Sequence, residues 1–139
     1  IPGEAADKAL LGALPAAQGK VKIGIINSLG ERSCGAAVAE IAKSVGNSDQ
    51  QLSVAAIGAL GKIGGPDAVK ALDAAMPSVP EAQKMPVYDA YLKIADKMAA
   101  EGNKLGANKI YIALNKEGVP SLVRTAALKG IAGSRGGNR

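Results

Sequence analysis

The 139-residue chain contains no His, Trp or Phe, and Cys34 is its single cysteine. Without histidine the chain lacks the commonest general base and metal ligand, so Ser-His-Asp and Cys-His catalytic arrangements cannot form within it. One cysteine allows neither an internal disulfide nor a paired-cysteine metal site. We expect Cys34 to be a packing residue, because no histidine is present to activate its thiol. These absences favour a protein without catalytic residues, cofactor or metal.

Long apolar runs are also missing, and aromatic residues make up only 2% of a chain that is 47% hydrophobic. A bilayer-spanning helix needs about 20 apolar residues, so we expect no membrane insertion. A core with so few rings must be built from Ala, Leu, Ile, Val and Gly. The chain shows no signal peptide and does not begin with Met, and we expect it to be part of a larger protein.

The formal net charge of +5 is concentrated near the C-terminus. Residues 109–139 hold six basic residues and one acidic residue, Glu117, whereas the charges of the preceding residues balance. A basic end can attract nucleic acid or an acidic partner, although a solvated helix surface is the simpler interpretation. The single Arg-Gly-Gly sequence at 135–137 indicates RNA binding only weakly, and we expect residues 134–139 to form a flexible tail.

Two short motifs each recur four times, at spacings of 31 to 38 residues. The first motif is an apolar pair at i and i+4, which lies on one face of a helix. The second motif is a ten-residue segment in which apolar and small residues match in register. The first motif occurs at Leu10/Leu14, Ile41/Val45, Leu72/Met76 and Ile110/Leu114, and the second at residues 21–30, 52–61, 86–95 and 123–132. The repeats predict four helix pairs, at about 4–34, 35–65, 66–102 and 103–133.

Glycine and proline residues separate these helices. Ser48 or Asp49 is a candidate N-cap for the second helix of the second pair. Pro120 fits the first turn of the last helix, where a missing N–H is tolerated. The connection between Pro77 and Pro86 is longer than the others and contains three prolines. We therefore expect a loose loop or an extra turn at that connection.

Two further patterns have a chemical and a structural interpretation. The glycine-rich segment 58–65 superficially resembles a phosphate-binding loop, but it lacks the spacing of one and no strand precedes it. Asp89 and Asp96 share a helix face at a separation that hydrolytic carboxylates can have. Lys93 lies between them at ion-pairing distance along a helix. We interpret both patterns as helix surfaces rather than sites.

The second motif resembles the second helix of the HEAT-repeat family, particularly the short phycobilisome-lyase-like HEAT repeat. The signature Val-Arg-x-x-Ala-hydrophobic-x-Ala-Leu-Gly is matched best by residues 123–132. Residues 52–64 fit nearly as well, with Ser53 where the family often has Arg. Lys22 occupies that position in the first copy and Val87 in the third, which is the poorest match. The resemblance implies an all-α, right-handed α-solenoid of about four two-helix repeats.

This resemblance implies a non-catalytic interaction or scaffold module that binds another protein through a groove lined by the second helices. The alternative is nucleic-acid binding through the basic C-terminal hairpin. An enzyme of the lyase-like or glycosylase-like HEAT kind has least support, because His and Trp are absent. Family resemblance also favours a bacterial, extracytoplasmic protein. The residues expected to contact the partner are Lys22, Asn27, Ser53, Lys62, Lys93, Lys97, Arg124 and Lys129.

The first predicted helix, from Ala5 to Leu14, carries Leu10 and Leu11 with few charges. Terminal repeats normally have a polar outer face. We therefore expect either that the chain is a fragment of a longer protein or that this end of the array is covered by a neighbour.

Overall fold

The computed structural model describes the backbone of residues 2–136 and the side chains of residues 3–133. Eight α-helices in this part of the chain form four consecutive hairpins, and residues 2–136 contain no strand. The all-α repeat fold is thereby confirmed, including a helix rather than a strand at residues 21–26, whereas the handedness of the array stays a prediction. The helices are α1 (Pro2–Ala13), α2 (Gly19–Glu31), α3 (Val38–Ala42), α4 (Gln50–Ile63), α5 (Gly65–Ala75), α6 (Lys84–Ala100), α7 (Lys104–Leu114) and α8 (Ser121–Gly136).

The ends of the helices follow local chemistry. The Asp49 carboxylate accepts hydrogen bonds from the backbone N–H groups of Gln51 and Leu52, and thereby satisfies donors that α4 cannot pair internally. Gly64 ends α4 with a φ of 70°, which favours glycine. Pro120 lies just before α8 rather than in its first turn, because the helix begins at Ser121.

The connection between α5 and α6 contains two short 3₁₀ turns, Met76–Ser78 and Glu81–Gln83. The expected extra turn between Pro77 and Pro86 is confirmed. At the other end of the chain, α8 continues to Gly136. A flexible tail therefore does not begin at Ser134 as expected, and residues 137–139 lie outside the described residues.

The core lies between successive hairpins. The second helices pack in one row, α2 on α4, α4 on α6 and α6 on α8, while α3 packs on α5 and α7 packs on α6 and α8. The core is almost wholly aliphatic, as the composition predicts, and Tyr91 and Tyr111 are its only aromatic members among the described residues. Cys34 is buried in this core, which confirms its packing role. The largest fully buried side chains include Leu14, Ile26, Leu29, Ile41, Ile57, Leu60, Leu72, Val87, Ile94 and Val123.

The second helices approach each other closely at glycine. A Cβ atom on Gly30 would lie 2.9 Å from the Cα atom of Ala59, and one on Gly61 would lie 3.1 Å from the Cα atom of Ala90. Both contacts join residues 29 positions apart, so α2–α4 and α4–α6 pack in the same way. Small residues in the second motif therefore set the distance between repeats.

The first hairpin closes one end of the array. Leu10 and Leu11 are half-buried and pack against the core. Arg32, after α2, forms an ion pair with Asp7 on α1 and donates a second hydrogen bond to the carbonyl oxygen of Gly3. These contacts fix α1 to the end of α2. Coverage of this end by a neighbour remains a prediction.

Candidate protein-interaction surface

Each second helix presents one stripe of exposed residues spaced three or four positions apart, except that half-buried Gly58 interrupts the stripe between Val54 and Lys62 on α4. The four stripes lie on helices that each pack on the next second helix, and together they make up one candidate surface. We call it the second-helix surface. Its members are Lys20, Gly24, Asn27 and Glu31 on α2, Gln51, Val54 and Lys62 on α4, Met85, Asp89, Lys93, Asp96 and Ala100 on α6, and Leu122, Thr125, Lys129 and Ala132 on α8.

Four of the eight residues expected to contact a partner lie on this surface. Asn27, Lys62, Lys93 and Lys129 are all exposed. The other four, Lys22, Ser53, Lys97 and Arg124, lie on other faces of the helices and are half-buried or buried. The repeat register identified equivalent positions correctly, but it did not show which of them face the next helix.

Ser53 has to be removed from the candidate surface because its side chain is completely buried. Its hydroxyl donates a hydrogen bond to Oε1 of Gln83 at 2.5 Å and accepts one from the backbone N–H of Gly46 at 2.8 Å. Val87, in the same register position one repeat later, is also fully buried. The position therefore faces the neighbouring repeat, where a hydroxyl is stable only with partners.

Lys97 has a structural contact of its own. Its ammonium group donates hydrogen bonds to the carbonyl oxygens of Lys62 at 3.2 Å and Ile63 at 3.1 Å, at the C-terminus of α4. The last carbonyl groups of a helix lack partners within the helix, and a cation there is favourable. Lys97, from the following hairpin, thus supplies the hydrogen-bond donor that the C-terminus of α4 lacks.

Arg124 is half-buried, and its Nε is buried without a hydrogen-bond partner among the described residues. Lys22 is half-buried in the first turns of α2. Both residues occupy the register position of Ser53. Their exposure is smaller than that of the four residues on the second-helix surface.

Charges of both signs occur on the second-helix surface. Lys62 on α4 forms an ion pair with Glu31 on α2. The hydrogen bond from Lys62, and secondly its positive charge, hold the pKa of the Glu31 carboxyl below its ordinary value. Val54, Met85 and Leu122 add exposed apolar side chains.

An open groove of about 600 Å³ lies between α2 and α4. Three amide side chains, Asn27, Gln50 and Gln51, line it together with apolar Ile23, Val54 and Ala55. Amide groups both donate and accept hydrogen bonds. The groove therefore offers paired polar contacts beside an apolar strip. Gln50 and Gln51 had not been expected at a site, although uncharged amides at the exposed start of a second helix could have indicated it.

The comparison with protein families identifies the repeat. The family model described as HEAT repeats matches residues 7–83, which is more than half of the chain. The chain belongs to the HEAT-repeat family. Searches of curated proteins and of solved structures returned no match. The matched part of this HEAT-repeat protein ends before α6, and its short, phycobilisome-lyase-like subtype stays a prediction.

HEAT repeats generally mediate protein interactions. In this HEAT-repeat protein, no helix among residues 2–136 has both the length and the apolar character needed to span a membrane. No group of three or more acidic, His or Cys side chains within the described residues could hold a metal ion.

The basic residues of the last hairpin lie in different places, and Arg124 is half-buried on another face of α8. Lys129 lies on the second-helix surface, whereas Lys109 and Lys116 line a cavity formed by α5, α6 and α7. The side chain of Arg135 lies outside the described residues. This division gives less support to one continuous basic surface than the sequence alone did.

Proposed function

We propose that this HEAT-repeat protein is a non-catalytic scaffold module that binds a protein partner on the second-helix surface. The observation that carries the proposal is the recurrence of an exposed stripe on four helices that pack in one row. A partner that crosses the row contacts every repeat. Each repeat then adds a small contribution to the binding free energy, which suits recognition of an extended segment of the partner.

The groove between α2 and α4 is a concave part of this surface. The amides of Asn27, Gln50 and Gln51 are suited to the N–H and carbonyl groups of an extended peptide backbone. Val54, which is 36% exposed, offers an apolar contact beside them. We therefore place the centre of the partner interface at this groove.

Site-specific photo-crosslinking tests the location. Val54→p-benzoylphenylalanine puts the photoreactive group in the groove, and Leu105→p-benzoylphenylalanine puts it on α7 at a side chain that is 73% exposed. We expect illumination to link a defined protein to position 54 and not to position 105. Equal labelling at both positions, or labelling at position 105 alone, would refute the location.

The partner identified in this way can be used to test the amides. Each neutral hydrogen bond contributes about 0.5–1.5 kcal/mol, or roughly 2- to 13-fold in affinity. Asn27→Ala combined with Gln51→Ala should therefore weaken binding by about 5- to 160-fold. Asn115→Ala, an exposed amide outside the groove, provides the control for general effects of amide loss. Unchanged affinity of the double variant would exclude the amides from recognition.

Nucleic-acid binding is the alternative, and the net charge of residues 109–139 is the observation in its favour. It predicts an affinity for duplex DNA or RNA that falls steeply and linearly on a log–log plot against salt concentration. Lys129→Gln and Lys109→Gln should each reduce that slope by about one. Salt-independent or absent binding would eliminate this alternative.

A further inference from the structure

A cavity of about 440 Å³ lies between α5, α6 and α7 and shares no residue with the second-helix surface. It exists because α7 packs mainly on α6 and α8 and not on the first helix of the preceding hairpin. Its volume falls within the range of about 300–1,000 Å³ that is typical of small-ligand sites.

Most of the cavity wall is apolar and firmly packed. Val69 comes from α5 and Met76 from the 3₁₀ turn that follows it, Ile110 and Leu114 come from α7, and Tyr88 and Tyr91 come from α6. Ile110, Leu114 and Tyr91 are buried members of the core, so they form a rigid floor. Two of the three tyrosines in the chain contribute to this one cavity, and their rings favour an aromatic or branched aliphatic group.

Three charged residues line the same cavity. The hydroxyl of Tyr91 donates a hydrogen bond to Oδ1 of Asp73 at 2.6 Å. Burial, and secondly this contact with Asp73, raise the pKa of Tyr91, so the phenol stays protonated and continues to donate. The Asp73 carboxylate therefore already has a partner.

The remaining charge at the cavity is positive. Lys109 and Lys116 are exposed, and neither forms an ion pair within the described residues. The hydrogen bond from Tyr91 leaves the charge of Asp73 in place, so the two ammonium groups and this carboxylate give the cavity lining a net charge of +1. Both lysines belong to the segment that carries the net charge of the chain, so the local field favours an anion.

We propose that this cavity binds an amphipathic carboxylate, with an aromatic or branched apolar body against the tyrosine-lined wall and the carboxylate near Lys109 and Lys116. Two sources share this chemistry. One is a free small acid, and the other is a peptide in which an acidic residue adjoins a large apolar residue. The site goes beyond the proposed scaffold function, because no residue of the second-helix surface takes part.

Methyl NMR of the whole chain offers a direct test, since the chain has only three methionines. Met76 lines the cavity, whereas Met85 lies on the second-helix surface and Met98 is buried in the core. We expect 4-phenylbutyrate to shift the Met76 methyl signal saturably at concentrations up to about 10 mM and to leave the other two in place. No saturable shift at Met76 would overturn the proposal.

Ligands that share the phenylbutyl group but differ in their terminal group test the role of the carboxylate. 4-Phenylbutanol and 4-phenylbutylamine should bind more weakly than 4-phenylbutyrate, because they lack the carboxylate. The double substitution Lys109→Gln and Lys116→Gln should lower the affinity for 4-phenylbutyrate by about 4- to 25-fold, because each exposed charge contributes about 2- to 5-fold. Lys8→Gln, at an exposed lysine on α1, should have no effect. Equal affinity for the amine would overturn the choice of an anion.

Filling the cavity tests its position. Ala113 is an exposed lining residue, so Ala113→Trp should block binding without disturbing the core. Ala39→Trp, at an exposed alanine on α3, is the matched control and should bind normally. Retained binding by a folded Ala113→Trp variant would refute the site.

The two sources are separated with the same Met76 signal. The peptide acetyl-Glu-Phe-Glu-amide is titrated against 4-phenylbutyrate, with acetyl-Glu-Gly-Glu-amide as the control that lacks the apolar side chain. Tighter binding of the first peptide identifies a peptide ligand, and tighter binding of 4-phenylbutyrate identifies a free acid. Failure of both would refute the proposal, while crosslinking at Val54 would be unaffected.

Discussion

Replacing Gly30 by alanine should destabilise the fold, although alanine is the better helix former. The added Cβ would lie 2.9 Å from both the Cα and the Cβ of Ala59, whereas carbon atoms in contact prefer about 3.5–4.0 Å. The obstacle is partly the backbone of α4, so no side chain can simply rotate away. Overpacking of this kind costs about 1–3 kcal/mol. The higher helix propensity of alanine offsets about 1 kcal/mol of this cost.

Gly24→Ala on the same helix provides the matched control. Nothing lies within 4 Å of a Cβ at Gly24, so this variant should gain about 1 kcal/mol from helix propensity alone. Because that gain is common to both variants, the difference between their free energies of unfolding isolates the contact with Ala59. We expect Gly30→Ala to be less stable than Gly24→Ala by about 1–3 kcal/mol.

Urea denaturation followed by far-ultraviolet circular dichroism measures this difference. The slope of the free energy against urea concentration should stay constant, so that a lower midpoint reports a loss of stability. Equal stability of the two variants, or a more stable Gly30→Ala, would show that α2 and α4 do not meet at Gly30. The reasoning about repeat spacing would then fail.

Three further predictions concern polar contacts. Ser53→Ala should lower the free energy of unfolding by about 1–3 kcal/mol, because the buried partners of the hydroxyl lose their hydrogen bonds; Ser28→Ala, at an exposed serine, should change urea stability little. Lys62→Gln should raise the pKa of Glu31 towards its ordinary value, and carboxyl-carbon NMR can follow this change. In the unmutated protein the ion pair stabilises the fold at pH values above the ordinary pKa of Glu31. That stabilisation is lost as the pH falls through the lowered pKa of Glu31 in the folded protein. Tyr91 has a raised pKa, so its contribution to stability is complete below its unfolded pKa of about 10 and is lost as the pH rises. Carbon NMR of the tyrosine Cζ atoms, which separates the three tyrosines, should show ionisation of Tyr91 only with unfolding. Reversible ionisation of Tyr91 in the folded state near the ordinary pKa would contradict this.

The helix pairs could be predicted from the sequence because their signals are local. Apolar residues at i and i+4 mark a helical face wherever they occur, and proline or glycine marks where it ends. Asp49, one of the two N-cap candidates before the second motif, is the N-cap in the structure. Four copies of the same pattern reinforce each other, which is why residues 21–26 could be assigned to a helix despite their strand-like alternation.

The roles of individual side chains were harder to predict, because they depend on distances between helices. Ser53 and Asn27 are both small polar residues on second helices, yet one is buried and the other is exposed. Buried Val87 in the register of Ser53 was the available signal. The cavity beside Tyr88 could not be predicted, since it depends on how α5, α6 and α7 pack against each other.

The contact between Lys97 and the end of α4 affects the order in which the chain can fold. The carbonyl groups of Lys62 and Ile63 obtain their donor from the next hairpin, so a nascent chain that has not yet produced α6 leaves the end of α4 open to water. The second hairpin then has a frayed C-terminus until the third docks. Folding of the two units is therefore cooperative, and a truncation between them would weaken the hairpin that it leaves intact.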